Sequence, residues 1–197
     1  MRSRLPLYLS SLSLEEILVM ESELAQCKEK FRVRCTVLAV NYRLEMPDSA
    51  SGTIEQNPVI FSELPRLCRR SAAAGGGALL GCFSSSALFL FPDVSGAARA
   101  VEHLIHGFST LEGKANHGTV IRWRLGLATG DDFLAANSPR ALHASSVAHR
   151  AAALADNAPQ SKILLDDETH RGWPDSDLCL PITSEQEMCW ETEPVVL

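Results

Sequence analysis

An α+β fold, a mixed sheet with helices packed on one side, is what the residue pattern predicts, and three observations carry that prediction. Ile121, Trp123, Leu125 and Leu127 alternate with Arg122, Arg124 and Gly126, the period-two pattern of a strand, up to a stop at Thr129-Gly130. Residues 35–40 are almost continuously apolar, as a strand covered on both faces is. Residues 78–83 and 87–91 are two apolar runs separated by Ser84-Ser85-Ser86, the pattern of a β-hairpin. With helical stretches between them, the order β, α, β-hairpin, α, β, α, β results, and the 120–130 strand reads as the central one.

Taken in order, Ser13-Leu14-Glu15-Glu16 has the capping-box form, in which hydroxyl and carboxylate satisfy free amides at a helix start. A helix of about four turns follows. Its residues Ile17, Met20, Leu24 and Cys27 fall at spacings of three and four. Packing on the chain's own domain is favoured over a short parallel coiled coil, because two heptads are too few to hold a coil alone. Residues 31–42 form the first core strand, and 46–57, with Pro, Asp, Ser and Gly, a loop. Pro58 and Pro65 bracket an interrupted helical stretch that Gly75-Gly76-Gly77 ends. That triplet is not a phosphate loop, since no Gly-Lys-Ser/Thr follows and a helix C-terminus offers carbonyls where an anion needs amides.

Residues 95–111 place Ala97, Val101, Leu104, Ile105, Phe108 and Leu111 on one helical face, and 113–118 break the helix. Residues 131–142 read as a loop or short strand, 144–155 as an Ala-rich helix, and 162–165 as a buried strand. Residues 167–173 read as a short helix and 189–197 as a closing strand. The simplest partition is a helical segment, 1–30, before one domain, 31–197.

Composition narrows the function classes. The 197 residues are 46% hydrophobic and 21% charged, enough for one buried core. A net charge of -6 and a pI near 5.5 argue against general affinity for nucleic acid or anionic membrane, although a local basic patch remains compatible with it. Six scattered cysteines without a C-x-x-C pair predict reduced thiols and a cytoplasmic setting, not zinc. The opening residues 1–14 imitate a signal peptide, but serines interrupt the apolar run and Glu15-Glu16 follow, so secretion is not expected. No stretch approaches the roughly 20 apolar residues that span a bilayer.

The run Arg124-Leu125-Gly126-Leu127-Ala128-Thr129-Gly130 resembles the R-[IV]-G-[IL]-x-x-G strand of class III adenylate and guanylate cyclase catalytic domains. The resemblance implies a ferredoxin-like mixed sheet with helices on one face. It also implies a site where two Asp residues hold two metal ions on a nucleoside triphosphate, because hard cations beside phosphate need anionic oxygen ligands. At the first metal position Leu38-Ala39-Val40-Asn41 stands for L-F-x-D, so Asn41 replaces the carboxylate. The hairpin motif G-G-x-x-x-K-x-x-G-D aligns without gaps on Gly76 to Ser85, so Ser85 replaces the second Asp and Gly81 the base-reading Lys. A register that sets Gly81-Cys82 against the Gly-Asp pair needs two extra turn residues and still gives no carboxylate.

The motif V-N-x-A-x-R falls on Ser145 to Arg150, with Ser146 for the ribose-orienting Asn and Arg150 kept. The resemblance gives Arg150 the place of the Arg that stabilises developing phosphate charge. A salt-bridged helix residue is the favoured alternative. Leu154-Ala155, Pro159 and Ile163-Leu164-Leu165 match the family's L-A-x-P-G-x-I-L-V stretch, which carries packing.

Other constellations read as structural. His103 and His106, one turn apart, lack a third ligand nearby in sequence. Asp131-Asp132 and Asp166-Asp167-Glu168 follow strand ends, where turn and cap carboxylates belong. No nucleophile-elbow pattern surrounds Ser84 to Ser86. The expectation is a degenerate cyclase homology domain with no cofactor, acting as a homodimer or as a heterodimer with an intact cyclase or signalling protein. A weakly bound nucleotide is a further possibility. The alternative is half of a composite cyclase, in which a partner supplies the Asp pair and Mg or Mn is required.

Overall fold

The computed structural model describes residues 13–29, 32–45, 58–114, 119–132, 145–183 and 188–192. The expectations for residues 1–12, the loop 46–57, the break at 115–118, the stretch 133–144 and the end 193–197 lie outside the described residues.

Helix α1 (Leu14–Glu29) begins with the capping box: the Ser13 amide donates to the Glu16 carboxylate at 2.7 Å, and the Glu16 amide to the Ser13 hydroxyl at 3.3 Å. Packing of this helix on the domain does not occur among the described residues. Ile17, Leu18, Val19, Met20 and Leu24 are all exposed. With apolar residues on more than one side, α1 has no single stripe that fits the sheet.

Strands β1 (Val33–Glu45) and β4 (Val120–Asp132) pair antiparallel along their whole length at the middle of a seven-stranded sheet. Residues 35–40 of β1 are buried without a break, as their composition requires. Thr129-Gly130 does not stop β4. The Thr129 hydroxyl is satisfied inside the sheet, 3.0 Å from that of Thr36 and 2.8 Å from that of Thr169, so the strand continues to Asp132.

Helix α2 (Pro58–Ala74) runs through Pro65 without interruption. Ile60, Leu64, Leu67, Cys68 and Ala72 stay in register on its buried face, and their burial outweighs the one lost amide donor. The Gly triplet closes the helix as a Schellman motif: the Gly77 amide reaches the Ala72 carbonyl at 2.8 Å, the Gly76 amide that of Ala73 at 3.0 Å, and Gly76 has φ +69°. A side chain at Gly75 or Gly77 would collide with Phe91, so the triplet also sets how closely this helix end meets the next strand.

Strands β2 (Ala78–Cys82) and β3 (Ser86–Phe91) form the expected hairpin, and helix α3 (Val94–Lys114) follows from an Asp93 side-chain cap, 2.7 Å from the Gly96 amide. Helix α4 (Ser146–Asn157), strand β5 (Ile163–Leu165), helix α5 (Asp167–Gly172), a 3₁₀ turn (Ser176–Leu178) and strands β6 (Leu180–Thr183) and β7 (Met188–Thr192) complete the described chain. The sheet order is β2-β3-β1-β4-β5-β7-β6, with β4 and β5 the parallel pair. The sequence reading assigned nothing to Leu180-Pro181-Ile182-Thr183; as an edge strand, β6 tolerates its Pro.

From β1 to β4 the order is that of a ferredoxin-like unit, with α2 and α3 sharing one face. Phe89, Phe91, Phe108, Leu104 and Leu125, all nearly inaccessible, fill the core between sheet and helices. Helix α4 adds a layer on the opposite face, where Val147, Ala148, Ala151 and Ala155 pack on Val37, Ala39 and Ala128. The approach is close: a Cβ at Gly126 would lie 2.3 Å from the Ala151 carbonyl oxygen. Small residues on both surfaces make that distance possible. Among the described residues no helix is long and apolar enough to cross a membrane.

Candidate functional site

The α4 face of the sheet has two ends, and the residues singled out in the sequence divide between them. At the first end, β1–β3 pairing sets Asn41 opposite Ser86, and the Tyr42 amide donates to the Ser85 carbonyl at 2.9 Å. Asn41 and Ser85 therefore come together. Cys82 lies on the other side of β2, its sulfur 4.0 Å from the Tyr42 hydroxyl, so the gap-free register is the one that joins the two positions.

Period two places Asn41, Arg43 and Glu45 on this same face, and β4 sets Arg124 opposite Asn41 and Arg122 opposite Arg43. Asn41 donates to the Asp156 carboxylate at 2.7 Å, and Arg124 to the Asp156 carbonyl at 3.2 Å. Arg122 donates to Glu45 at 2.8 Å, and Arg43 lies 3.7 Å from the other Glu45 oxygen. Arg122 and Arg43 hold the Glu45 carboxyl below its usual range, so it stays charged. With Gln160, these groups line an open cleft of about 450 Å³.

Two divalent cations do not fit this donor set. Asn41 and Ser85 are neutral, and Asp156 is already engaged by Asn41, with Arg124 bonded to its own backbone. No group of three or more His, Cys, Asp or Glu able to hold a metal occurs among the described residues.

At the second end, Arg150 donates to the Thr129 carbonyl at 2.7 Å and to the Asp166 carboxylate at 3.1 Å. Gly130 leaves the room for it, since a Cβ there would lie 3.1 Å from the guanidinium. Asp166 also accepts the Thr169 amide at 2.8 Å, capping α5, and the Thr129 amide at 3.2 Å. Asp132 accepts the Ser145 hydroxyl at 2.7 Å and the Val147 amide at 3.1 Å, which anchors the start of α4. Burial, with Asp132 and Asp131 nearby, pushes the Cys35 thiol up to about 11. Thr129 pairs with Thr36, five residues from Asn41 on β1, so the two ends are about 17 Å apart along the strand.

Three further sequence candidates have structural partners. His103 bonds the Ser71 hydroxyl at 2.9 Å, Asp167 accepts the Trp190 indole at 2.7 Å, and Glu168 pairs with Arg34 and Arg171. Cys35, Cys68, Cys82, Cys179 and Cys189 are free thiols. What sequence reading missed is the cleft's charge: Arg43 and Asp156 were passed over, Arg122 was treated only as the polar half of a strand, and Arg124 was read as the start of the motif strand with no role for its charge. The signal was the two-residue spacing that puts Arg43 on the face of Asn41.

The sheet order and the ferredoxin-like unit define the fold of nucleotide cyclase catalytic domains. The guanylate cyclase domain of RhGC from Catenaria anguillulae, solved with GTP, is 14% identical over 82% of this chain and 97% of its own, with a TM-score of 0.61. A dimeric guanylyl cyclase domain of the RhoGC fusion protein from Blastocladiella emersonii is 12% identical over 81% and 95%, with a TM-score of 0.61. An adenylate/guanylate cyclase/hydrolase from Silicibacter pomeroyi is 16% identical over 84% and 99%, with a TM-score of 0.58. No family model and no curated protein matches the sequence.

Proposed function

We propose that the chain is a catalytically degenerate class III cyclase-like domain that works as a dimerisation or regulatory module in intracellular, cytoplasmic cyclic-nucleotide signalling. One observation carries this reading: Asn41 and Ser85 meet where the resemblance sets the metal-binding Asp pair, and neither brings a carboxylate. Metal-assisted activation of a ribose hydroxyl then lacks the Asp pair that the resemblance implies. Arg150, the catalytic residue that the resemblance suggests, is engaged in the fold's own hydrogen bonds.

Association does not need the lost carboxylates. Leu80, Leu88 and Leu90 lie only partly buried on the α4 face of β2 and β3, beside the small core under α4. A homodimer, or a heterodimer with an intact cyclase, is expected to bury on the order of 1,200 Å² or more there. Ile17, Met20 and Leu24 of α1 are exposed and offer a second surface for contact. Sedimentation equilibrium on the full chain and on a chain starting at Phe31 tests this. Monomers in both at tens of micromolar, with no intact cyclase binding when added, would end the docking reading. A dimer of the full chain alone would move the contact to α1.

One observation favours the composite-cyclase alternative: the Arg150 side chain is 38% exposed at the end of the sheet away from its own cleft, where only another subunit's site could use it. Mixing with an intact cyclase, with and without Arg150→Ala, separates the two readings. Cyclic nucleotide output that depends on Arg150 supports the alternative.

A further inference from the structure

The arginines around Asn41 and Ser85 make the cleft basic. Arg43 and Arg122 are direct cross-strand neighbours, and Arg124 lies one pair further along the same face. Like charges placed directly opposite each other destabilise a sheet unless an anion lies between them. Glu45 is one such anion, and it engages Arg122 closely and Arg43 loosely, at 3.7 Å. Arg124 makes no ion pair among the described residues; its recorded bond goes to the Asp156 carbonyl. Three arginines against Glu45 and Asp156 leave a net positive charge in the cleft of a chain whose total is -6.

We infer that this cleft binds an oligophosphate group directly on Arg43 and Arg124, without a divalent cation. The inference rests on the reading of this end as lacking its metal pair. Guanidinium forks match phosphate oxygens two at a time and remain charged at any working pH. Arg43, whose side chain is 77% exposed, is free to turn toward a ligand. The Ser85 and Ser86 hydroxyls and the Gln160 amide, all on the cleft wall, supply neutral donors. Violating a local charge rule at an open cleft is the pattern of a functional site.

Calorimetry with tripolyphosphate in EDTA tests this, with ATP and GTP as parallel arms that separate bare polyphosphate from a nucleotide. The expected result is saturable binding of tripolyphosphate that weakens roughly tenfold in the Arg43→Gln, Arg124→Gln double variant and with added salt. Ser85→Asp, which adds a negative charge, is expected to weaken it as well, while Arg99→Gln on the distant α3 leaves it unchanged. Nucleotide binding tighter than tripolyphosphate adds a base contact to the same site. No tripolyphosphate binding in EDTA, or equal binding by the double variant, overturns the inference and leaves the degenerate reading intact. Binding that appears only with Mn²⁺ overturns the inference, and if cyclic nucleotide forms, it also overturns the reading beneath it.

Discussion

The two ends of the α4 face differ in how their polar groups are satisfied. At the Arg150 end every carboxylate is tied to backbone or to a cation. Asp132 is 5% exposed, and Asp166 serves Thr129, Thr169 and Arg150 together. At the Asn41 end the side chains are open to water, and the cations outnumber the anions. Buried networks of the first kind specify structure, because breaking one leaves desolvated groups unpaired. Exposed, unbalanced groups of the second kind contribute little to stability and are available to a ligand. The Arg retained from the catalytic motif thus lies in the structural end, and Asn41 and Ser85, which stand at the metal positions, lie in the open one.

The largest effect is expected from Asp166→Ala. It removes the α5 cap, the Thr129 contact and the partner of Arg150, and chemical denaturation is expected to show a loss of about 3 kcal/mol. A loss under about 0.5 kcal/mol would erase the contrast between the ends.

The next effect is a pH dependence. Because burial raises the Cys35 thiol in the folded state, its stabilising contribution is complete below the ordinary thiol value of 9.0 and is lost as pH rises toward about 11. Denaturation midpoints are expected to fall across that window in the native chain, and less so in Cys35→Ala.

Arg150→Ala comes third. The ion pair is partly exposed on the Arg side, so solvent screening limits the loss to about 1 kcal/mol. The smallest change is expected from Arg124→Gln, within about 0.5 kcal/mol of the parent, since its recorded bond goes to a surface carbonyl. A larger loss there would give the open end a structural role.

Much of the fold was legible because it rests on local pattern. The alternation at 120–127, the apolar run at 35–40 and the Ser84 to Ser86 turn each specify an element without help from the rest of the chain. Failures came where tertiary contacts overrule local rules. Pro65 sits inside a helix whose apolar face is buried on both sides of it, and Thr129-Gly130 continues a strand because Thr36 and Thr169 satisfy its hydroxyl. For α1 the failure was of the opposite kind: apolar residues predicted burial, but none of the described residues covers them. The resemblance to the cyclase motifs brought Asn41 and Ser85 to notice, whereas the cleft around them depends on Asp156 and Gln160, which only the path of α4 and the turn after it carries there.

The most direct test of the central claim is cyclic nucleotide formation by the purified chain with Mn²⁺-ATP and Mn²⁺-GTP. Asn41→Asp with Ser85→Asp belongs in the same assay; it restores two carboxylates but leaves Gly81 and Ser146 where base and ribose would need Lys and Asn. The expected result is no product from the parent chain and none from the double variant, because neutral oxygens do not hold two metal ions and carboxylates alone do not hold the nucleoside. Product from the homogeneous parent chain, abolished by Arg150→Ala, would contradict it.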